Sequence, residues 1–389
     1  MRIIVLGYMV RFPQGGMVWS NLQYLLGFKE LGHDVYFVED SDDHPCCYDP
    51  ERDEVGTDPA YGLRFAHESL RAIGCGERWA YYDAHRTEWL GPCAQSILEL
   101  CAGADLLLNL CGVSPLRPWL EGIPLKVLVD KDPAFTQVRN LSDPGRLAYT
   151  TQHDAFFTFA GNIGTANCGV PDDGIPWVAT RQPVVLRSIL PAPAQVDGRF
   201  TSVLFWQSYQ ALVFRGRRYG MKAHSFEQFA GLAGEADEPL EMAVGGEDVP
   251  LHKLQEDGWR VVEPRQVTAS VASYLDYIRA SKAEFSVAKE GYVVSRSGWF
   301  SERSVTYLAT GRPVVVQDTG FTDWLPAGEG VLAFRTPEEA LRAIRDVSGR
   351  YERHCKAARA IAEEFFDSRQ VLTQLLDTAL SAPVRQPSA

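Results

Sequence analysis

The sequence contains no apolar run long enough to cross a bilayer, no CxxC pair and no basic stripe, and each absence removes a class of protein. The longest apolar runs, such as the one within Ala104 to Cys111, fall far short of the roughly 20 residues a spanning helix needs. Met1-Arg-Ile-Ile-Val enters a strand without the layout of a signal peptide, so the expectation is a cytoplasmic protein with no transmembrane segment. The eight cysteines, at 46, 47, 75, 93, 101, 111, 168 and 355, show no metal-type spacing with histidine. Reduced thiols and no bound metal are expected. A formal net charge of -12 speaks against a nucleic-acid partner, although a nucleotide-sized anion needs only a local pocket. No G-x-G-x-x-G follows the first strand and no P-loop is present. Oxidoreductase and phosphoryl-transfer readings lose their main support.

What is present is a repeated alternation of short apolar strands and amphipathic helices. At 389 residues, 46% hydrophobic and 23% charged, the chain is long enough for two cores. Strands are expected at Arg2 to Gly7, Asp34 to Glu39, Asp105 to Leu110, Lys126 to Val129 and Ala155 to Phe159, with a helix at Met17 to Leu31 and a helical or loop segment at Ala94 to Ala102. The text turns rich in proline and small residues around Pro183 to Gly198, as a linker does. Strands resume at Thr201 to Trp206, Leu240 to Val244, Trp259 to Val262, Ala283 to Val287 and Pro313 to Val316, with a helix over Val271 to Ser281. A helical stretch from Glu338 to Leu380, breaking near Gly349 and Asp367, precedes the tail SAPVRQPSA. The fold class is α/β: two Rossmann-like doubly wound parallel-sheet domains with a cleft between them. Domains are placed at 1–185 and 199–350, with a linker at 186–198 and crossing helices at 351–380.

The most informative stretch is FSERSVTYLATGRPVVVQDTGF, Phe300 to Phe321. Ser301 is a good N-cap, Val305, Leu308 and Ala309 share a helical face, and Gly311 stands where a helix closes. The start of this helix follows the loop AKEGYVVSRSGWF at the carboxyl edge of a parallel sheet. Free N–H groups there, with Lys289, Arg296 and Arg303, form a candidate diphosphate cradle that includes Ser297, Gly298 and Glu302. Solvated cations on an ordinary capped helix are the plain alternative.

Gly311-x-Pro313-Val-Val, then Asp318-Thr-Gly320 and GEGVLAFRTPEEALRAI, resemble the donor-binding half of GT-B glycosyltransferases of the group-1 type. The resemblance implies a nucleotide diphosphate sugar as co-substrate, no separate cofactor or metal, a first domain for an unknown acceptor and a second for the donor. It places Gly15, Gly16 and Trp19 on the acceptor side. It also implies an Arg and a Lys near the start of the second domain to neutralise the leaving diphosphate, for which FRGRRYGMK offers Arg218 and Lys222. Counting back from Gly311, the family's two motif glutamates fall on Gly298 and Thr306, with Glu302 between them. A sugar-nucleotide epimerase and a non-catalytic nucleotide-sugar-binding protein are the alternatives.

An inverting transfer needs a general base on the first domain. Asp130 and Asp132 in LVDKDPAF are the candidates, ahead of His153-Asp154. Each aspartate also suits an ordinary turn. The cluster Asp40, Asp42, Asp43 and His44 reads as a solvated loop, and Trp79, Tyr81, Tyr82, Trp89 and Trp119 read as core.

Overall fold

The computed structural model describes residues 1–381; all of the expected tail but Ser381 lies outside the described residues. Continuous apolar strands, buried on both faces, build two separate sheets, as parallel strands covered by helices require. The first runs in the order Val178–Ala179, Ala155–Thr158, Leu125–Asp130, Leu106–Leu110, Arg2–Leu6, Asp34–Asp40, Trp79–Asp83, Glu88–Leu90. All its pairs are parallel except the last, where Tyr82 faces Trp89 across an antiparallel edge. The second runs Arg260–Val262, Leu240–Gly245, Phe200–Phe205, Ala283–Ser286, Val314–Gln317, Val331–Phe334, all parallel.

Strand order reverses beside Arg2–Leu6 in the first sheet and beside Phe200–Phe205 in the second. The loops leaving those strands open crevices at the carboxyl edge, the usual ligand position in a doubly wound sheet.

Three departures from the sequence reading have clear causes. Trp79–Asp83, read above only as aromatic core, is a strand, and it pairs Phe37 with Trp79. The basic run at Phe214 to Lys222 is part of a hairpin, Leu212–Phe214 against Arg217–Tyr219. Its turn puts Arg215 and Gly216 at φ 50° and 77°, the primed-turn geometry that matches strand twist. The segment Ala94 to Ala102, left open between helix and loop, is helical only from Ile97, after a run of turns that follows Gly91 and Pro92.

The closing helices are Pro337–Gly349, Tyr351–Phe365 and Ser368–Ser381. The last packs against the first domain: a Cβ at Gly27 would come within 2.5 Å of Leu372. Backbone bonds from Val184 to Phe366 and from Ser368 to Val184, 2.8 and 2.9 Å, tie this return to the segment between the sheets.

Candidate active site

The helix Glu302–Ala309 begins at the reversal point of the second sheet, and Ser301 caps it by accepting a hydrogen bond from the Arg303 N–H at 3.2 Å. Its far end closes at Gly311, φ 77°. Arg303 turns back into its own domain: Nε meets Glu284 at 2.6 Å, Nη1 the Val203 carbonyl at 2.6 Å and Nη2 the Ser286 hydroxyl at 2.5 Å. This corrects its assignment as a mobile phosphate ligand, because every arm of the guanidinium is already engaged inside the domain.

Lys222 is different. It opens the short helix Lys222–Phe226 and is partly buried. Among the described residues none gives its ammonium group a hydrogen bond or ion pair. Burial first, then the charges of Arg303 and Lys289, drive its pKa well below the ordinary lysine value, against a weaker pull from Glu284. Here is a cation in need of an anion, at a sheet edge beside two more cations.

The first domain meets this edge through four sets of contacts. Asp132 receives Lys289 Nζ at 2.8 Å and the hydroxyls of Tyr209 and Tyr292, while Arg139 stands 3.5 Å away. Burial opposes the charge on Asp132, yet Lys289 and the two tyrosines win and hold its pKa below the usual value. Lys131 pairs with Glu302 at 2.8 Å, and Ser20 bonds to both. Asn162 binds the Ser297, Arg296 and Gly320 carbonyls at 3.0, 3.0 and 2.9 Å. Phe135 and Val138 of the first domain share an apolar cluster with Tyr219, Met221 and Tyr292 of the second.

The remaining candidates divide. Asp130 is buried, and its carboxylate accepts from Thr136, Gln137, Thr158 and the Asp132 N–H. This saturation corrects its assignment as a base. Asp132 faces the cleft but, held by four groups and favouring its charged form, it is an anchor here rather than a free base. Arg218 is half exposed and bidentate to Glu290 at 2.8 and 2.6 Å; Arg296 pairs with Asp323 at 3.2 Å. Ser297 is fully buried. Gly298 sits at φ 75°, and a Cβ there would lie 2.8 Å from Asn162, so no glutamate fits at that position. Gly15 and Gly16 are pressed against Ser270 and Tyr274 of the second domain rather than forming an open loop. Arg117 neutralises Asp40 and Asp43 at 3.0 and 2.8 Å, which explains that acidic cluster.

His153 is fully buried between Asn109 and the Thr150 carbonyl, and burial lowers its pKa to about 4. The unfolded chain binds a proton near the ordinary 6.5, so stability rises with pH between about 4 and 6.5, by about 1.4 kcal/mol per unit at most. Urea midpoints at pH 7 and 5 measure this: wild type loses stability at pH 5, and His153→Gln flattens the difference. An equal loss in both proteins would remove His153 as the cause.

Sequence reading missed Tyr209, Tyr292, Lys131, Ser20 and Asn162. Lys131 lay in plain view between two aspartates. Asn162 lay in AGNIGTANCG, passed over because its glycines lack nucleotide-binding spacing. Nothing local marked the tyrosines.

Comparison with known proteins accords with this geometry. Residues 232–377 match the family model described as glycosyl transferase-like. Among solved structures, an α-glucosyltransferase with UDP and a 13-mer DNA containing an HMU base superposes with TM-score 0.58 at 13% identity, covering 98% of this chain and 99% of that one. The Anabaena protein HepE, with UDP and glucose, gives 0.58 at 10% identity over 98% and 100%. Sucrose-phosphate synthase from Thermosynechococcus elongatus gives 0.55 at 12% over 98% and 100%. A curated relative, the phosphoribosylamine–glycine ligase of Halalkalibacterium halodurans, is 28% identical over 131 residues. That match spans 32% of this chain and only 29% of the ligase. The chain thus shares the two-domain GT-B fold of these structures throughout and carries, at residues 232–377, a domain that matches the glycosyl transferase-like family model.

Proposed function

We propose that the protein transfers a sugar from a nucleotide diphosphate sugar, and that Lys222 and the helix start at Ser301 receive the diphosphate. The observation that carries this is the unpartnered Lys222 ammonium with Arg303 and Lys289 beside it. A diphosphate seated there relieves the repulsion among three cations and gains free N–H groups from the helix. Arg303 acts through its field from within the fold, and Lys289 is carried by Asp132. Stabilising the charge of the leaving diphosphate is then the main catalytic contribution, without a metal. Eight free cysteines favour a cytoplasmic setting. No helix among the described residues is long and apolar enough to cross a membrane. The net charge favours an acceptor other than nucleic acid.

UDP, GDP, dTDP, ADP and CMP, titrated in turn, test the donor site. One diphosphate at a hundred times its Kd should add about 2.7 kcal/mol of stability. Lys222→Ala should weaken that nucleotide by about 1.5–3 kcal/mol, roughly tenfold to a hundredfold. Unchanged affinity in the variant would remove Lys222 from the site.

A further inference from the structure

Cys46 and Cys47 follow the loop that leaves Asp34–Asp40, where the short strand Cys47–Asp49 pairs with Glu54–Gly56. Cys46 is half-buried and Cys47 buried. The Cys46 thiol donates to the Ser41 carbonyl at 2.7 Å, and Arg11 Nη1 lies 4.0 Å from its sulfur. The Cys47 sulfur meets the Tyr81 hydroxyl at 3.3 Å. Arg11 is buried, faces Glu39 at 3.6 Å and Asp42 at 3.9 Å, and keeps an Nε with no hydrogen-bond partner. Two sulfurs in unlike surroundings therefore sit side by side, one reaching solvent next to a guanidinium and the other enclosed. The hydrogen bond from Cys47 does most to lower the Cys46 pKa; burial opposes it and Arg11 adds to it. That bond, and then burial, push Cys47 up. Of the eight thiols Cys46 alone is held below its ordinary value, and the other seven are raised.

A thiol open to solvent, beside a cation and next to a second thiol, is the arrangement in which cysteine oxidation is selective and reversible. We propose that Cys46 and Cys47 form a peroxide-sensitive dithiol, in which Cys46 is the sulfur oxidised first and Cys47 the one that resolves it. The Cys46 thiolate attacks a hydroperoxide: an S–O bond forms, the O–O bond breaks, and the second oxygen leaves with a proton as water or alcohol. Cys47 then attacks the sulfenic sulfur, its proton departs with the hydroxyl as water, and an S–S bond closes. The two thiols give up two electrons, which reduce one peroxide. Neighbouring Cα atoms stand about 3.8 Å apart, short of the roughly 4.4 Å that an unstrained disulfide needs. The bridge is therefore strained and readily reduced, as a reversible modification requires. Its effect reaches the reversal point of the first sheet. The Tyr48 N–H donates to the Arg11 carbonyl at 2.9 Å, and Arg11 Nη2 donates to the Val113 carbonyl at 3.2 Å, so the loops after Arg2–Leu6 and Leu106–Leu110 are both tied to this pair.

Peptide mass spectrometry of the full chain after brief exposure to hydrogen peroxide tests the assignment, with dimedone to trap sulfenic acid and N-ethylmaleimide to block free thiols. In wild type the peptide bearing both cysteines should lose two hydrogens and escape N-ethylmaleimide, and dithiothreitol should restore both thiols. Cys47→Ser removes the resolving sulfur, so dimedone should then mark Cys46, at least tenfold more than the half-buried Cys168. Cys46→Ser should leave Cys47 unoxidised. Far-UV circular dichroism reports that both variants are folded. Oxidation of Cys168 or Cys355 as fast as that of Cys46, a dimedone adduct at Cys46 of wild type in place of the bridge, or no adduct in folded Cys47→Ser would overturn it. Lys222→Ala should leave this oxidation unchanged, so failure of the donor site and failure of the dithiol read out separately.

Discussion

Replacing Arg303 by alanine should cost about 3–5 kcal/mol of stability, far more than its loss as a donor contact would suggest. Glu284, its partner, has no exposed side-chain surface, and one of its carboxylate oxygens already has no hydrogen-bond partner. Without the guanidinium, a full negative charge stays in the middle of the second sheet, and the Val203 carbonyl and Ser286 hydroxyl lose a donor with it. Arg303→Lys should rescue little, since one ammonium group cannot reproduce a fork that bonds three partners. The double variant Arg303→Met with Glu284→Gln should recover much of the loss, because a neutral pair removes the stranded charge. Denaturant unfolding of the four proteins decides the matter. A single-variant loss under 1 kcal/mol, with nucleotide affinity reduced, would return Arg303 to the donor site.

That result marks where the sequence could be read and where it could not. The central strands of both sheets were visible because a parallel strand buried on both faces is a continuous apolar run, as at Leu106–Leu110 and Val314–Gln317, whereas the outer strands Val178–Ala179, Trp79–Asp83, Glu88–Leu90 and Val331–Phe334 were not read. The helix after Phe300 was visible because its cap and its closing glycine are local chemistry, and Ser301 and Gly311 both act as their residue types require. Positive charge was equally visible, but its destination was not. Arg303 finds Glu284, Arg218 finds Glu290 and Arg296 finds Asp323, each across a stretch that only the fold brings together.

Arg312 makes the same point from the opposite side. It is the variable residue of the Gly-x-Pro-Val-Val motif, yet it is fully buried, and its guanidinium bonds the Pro193 and Arg279 carbonyls at 2.6 Å each. It fastens the linker to the second domain. No local pattern distinguishes it from Lys222, the basic residue that is left unpartnered. Ligand-binding cations differ from structural ones by what is missing around them, and that is a property of packing alone.

Asp132→Ala should lower stability by about 3–5 kcal/mol and loosen the cleft, because it strips the counter-charge from Lys289 across the domain boundary. Lys289 has 14% of its side-chain surface exposed and Asp132 26%, so solvent screens the stranded ammonium only in part. Phe135, Tyr209 and Tyr292 surround it at 5.0, 4.4 and 5.4 Å, and their faces compensate for some of the loss. The loss falls between the domains rather than inside either one. Denaturation should therefore begin earlier while each sheet keeps its own core, and small-angle scattering should report a larger radius of gyration. A double-mutant cycle with Lys289→Ala isolates the pair, and additive losses would mean that the two charges do not support each other. The pH dependence follows from the depressed carboxylate. The contact is complete above the ordinary aspartate value of 3.8 and fails only as pH falls below it, through the lower pKa of the folded state. Neutral pH thus holds this contact shut, and a donor that enters between Lys222 and Ser301 must do so with Asp132 and Lys289 still joined or must part them. Scattering at saturating nucleotide distinguishes these: an unchanged radius of gyration in wild type means entry into a closed cleft, and expansion toward the Asp132→Ala value means that binding opens the pair.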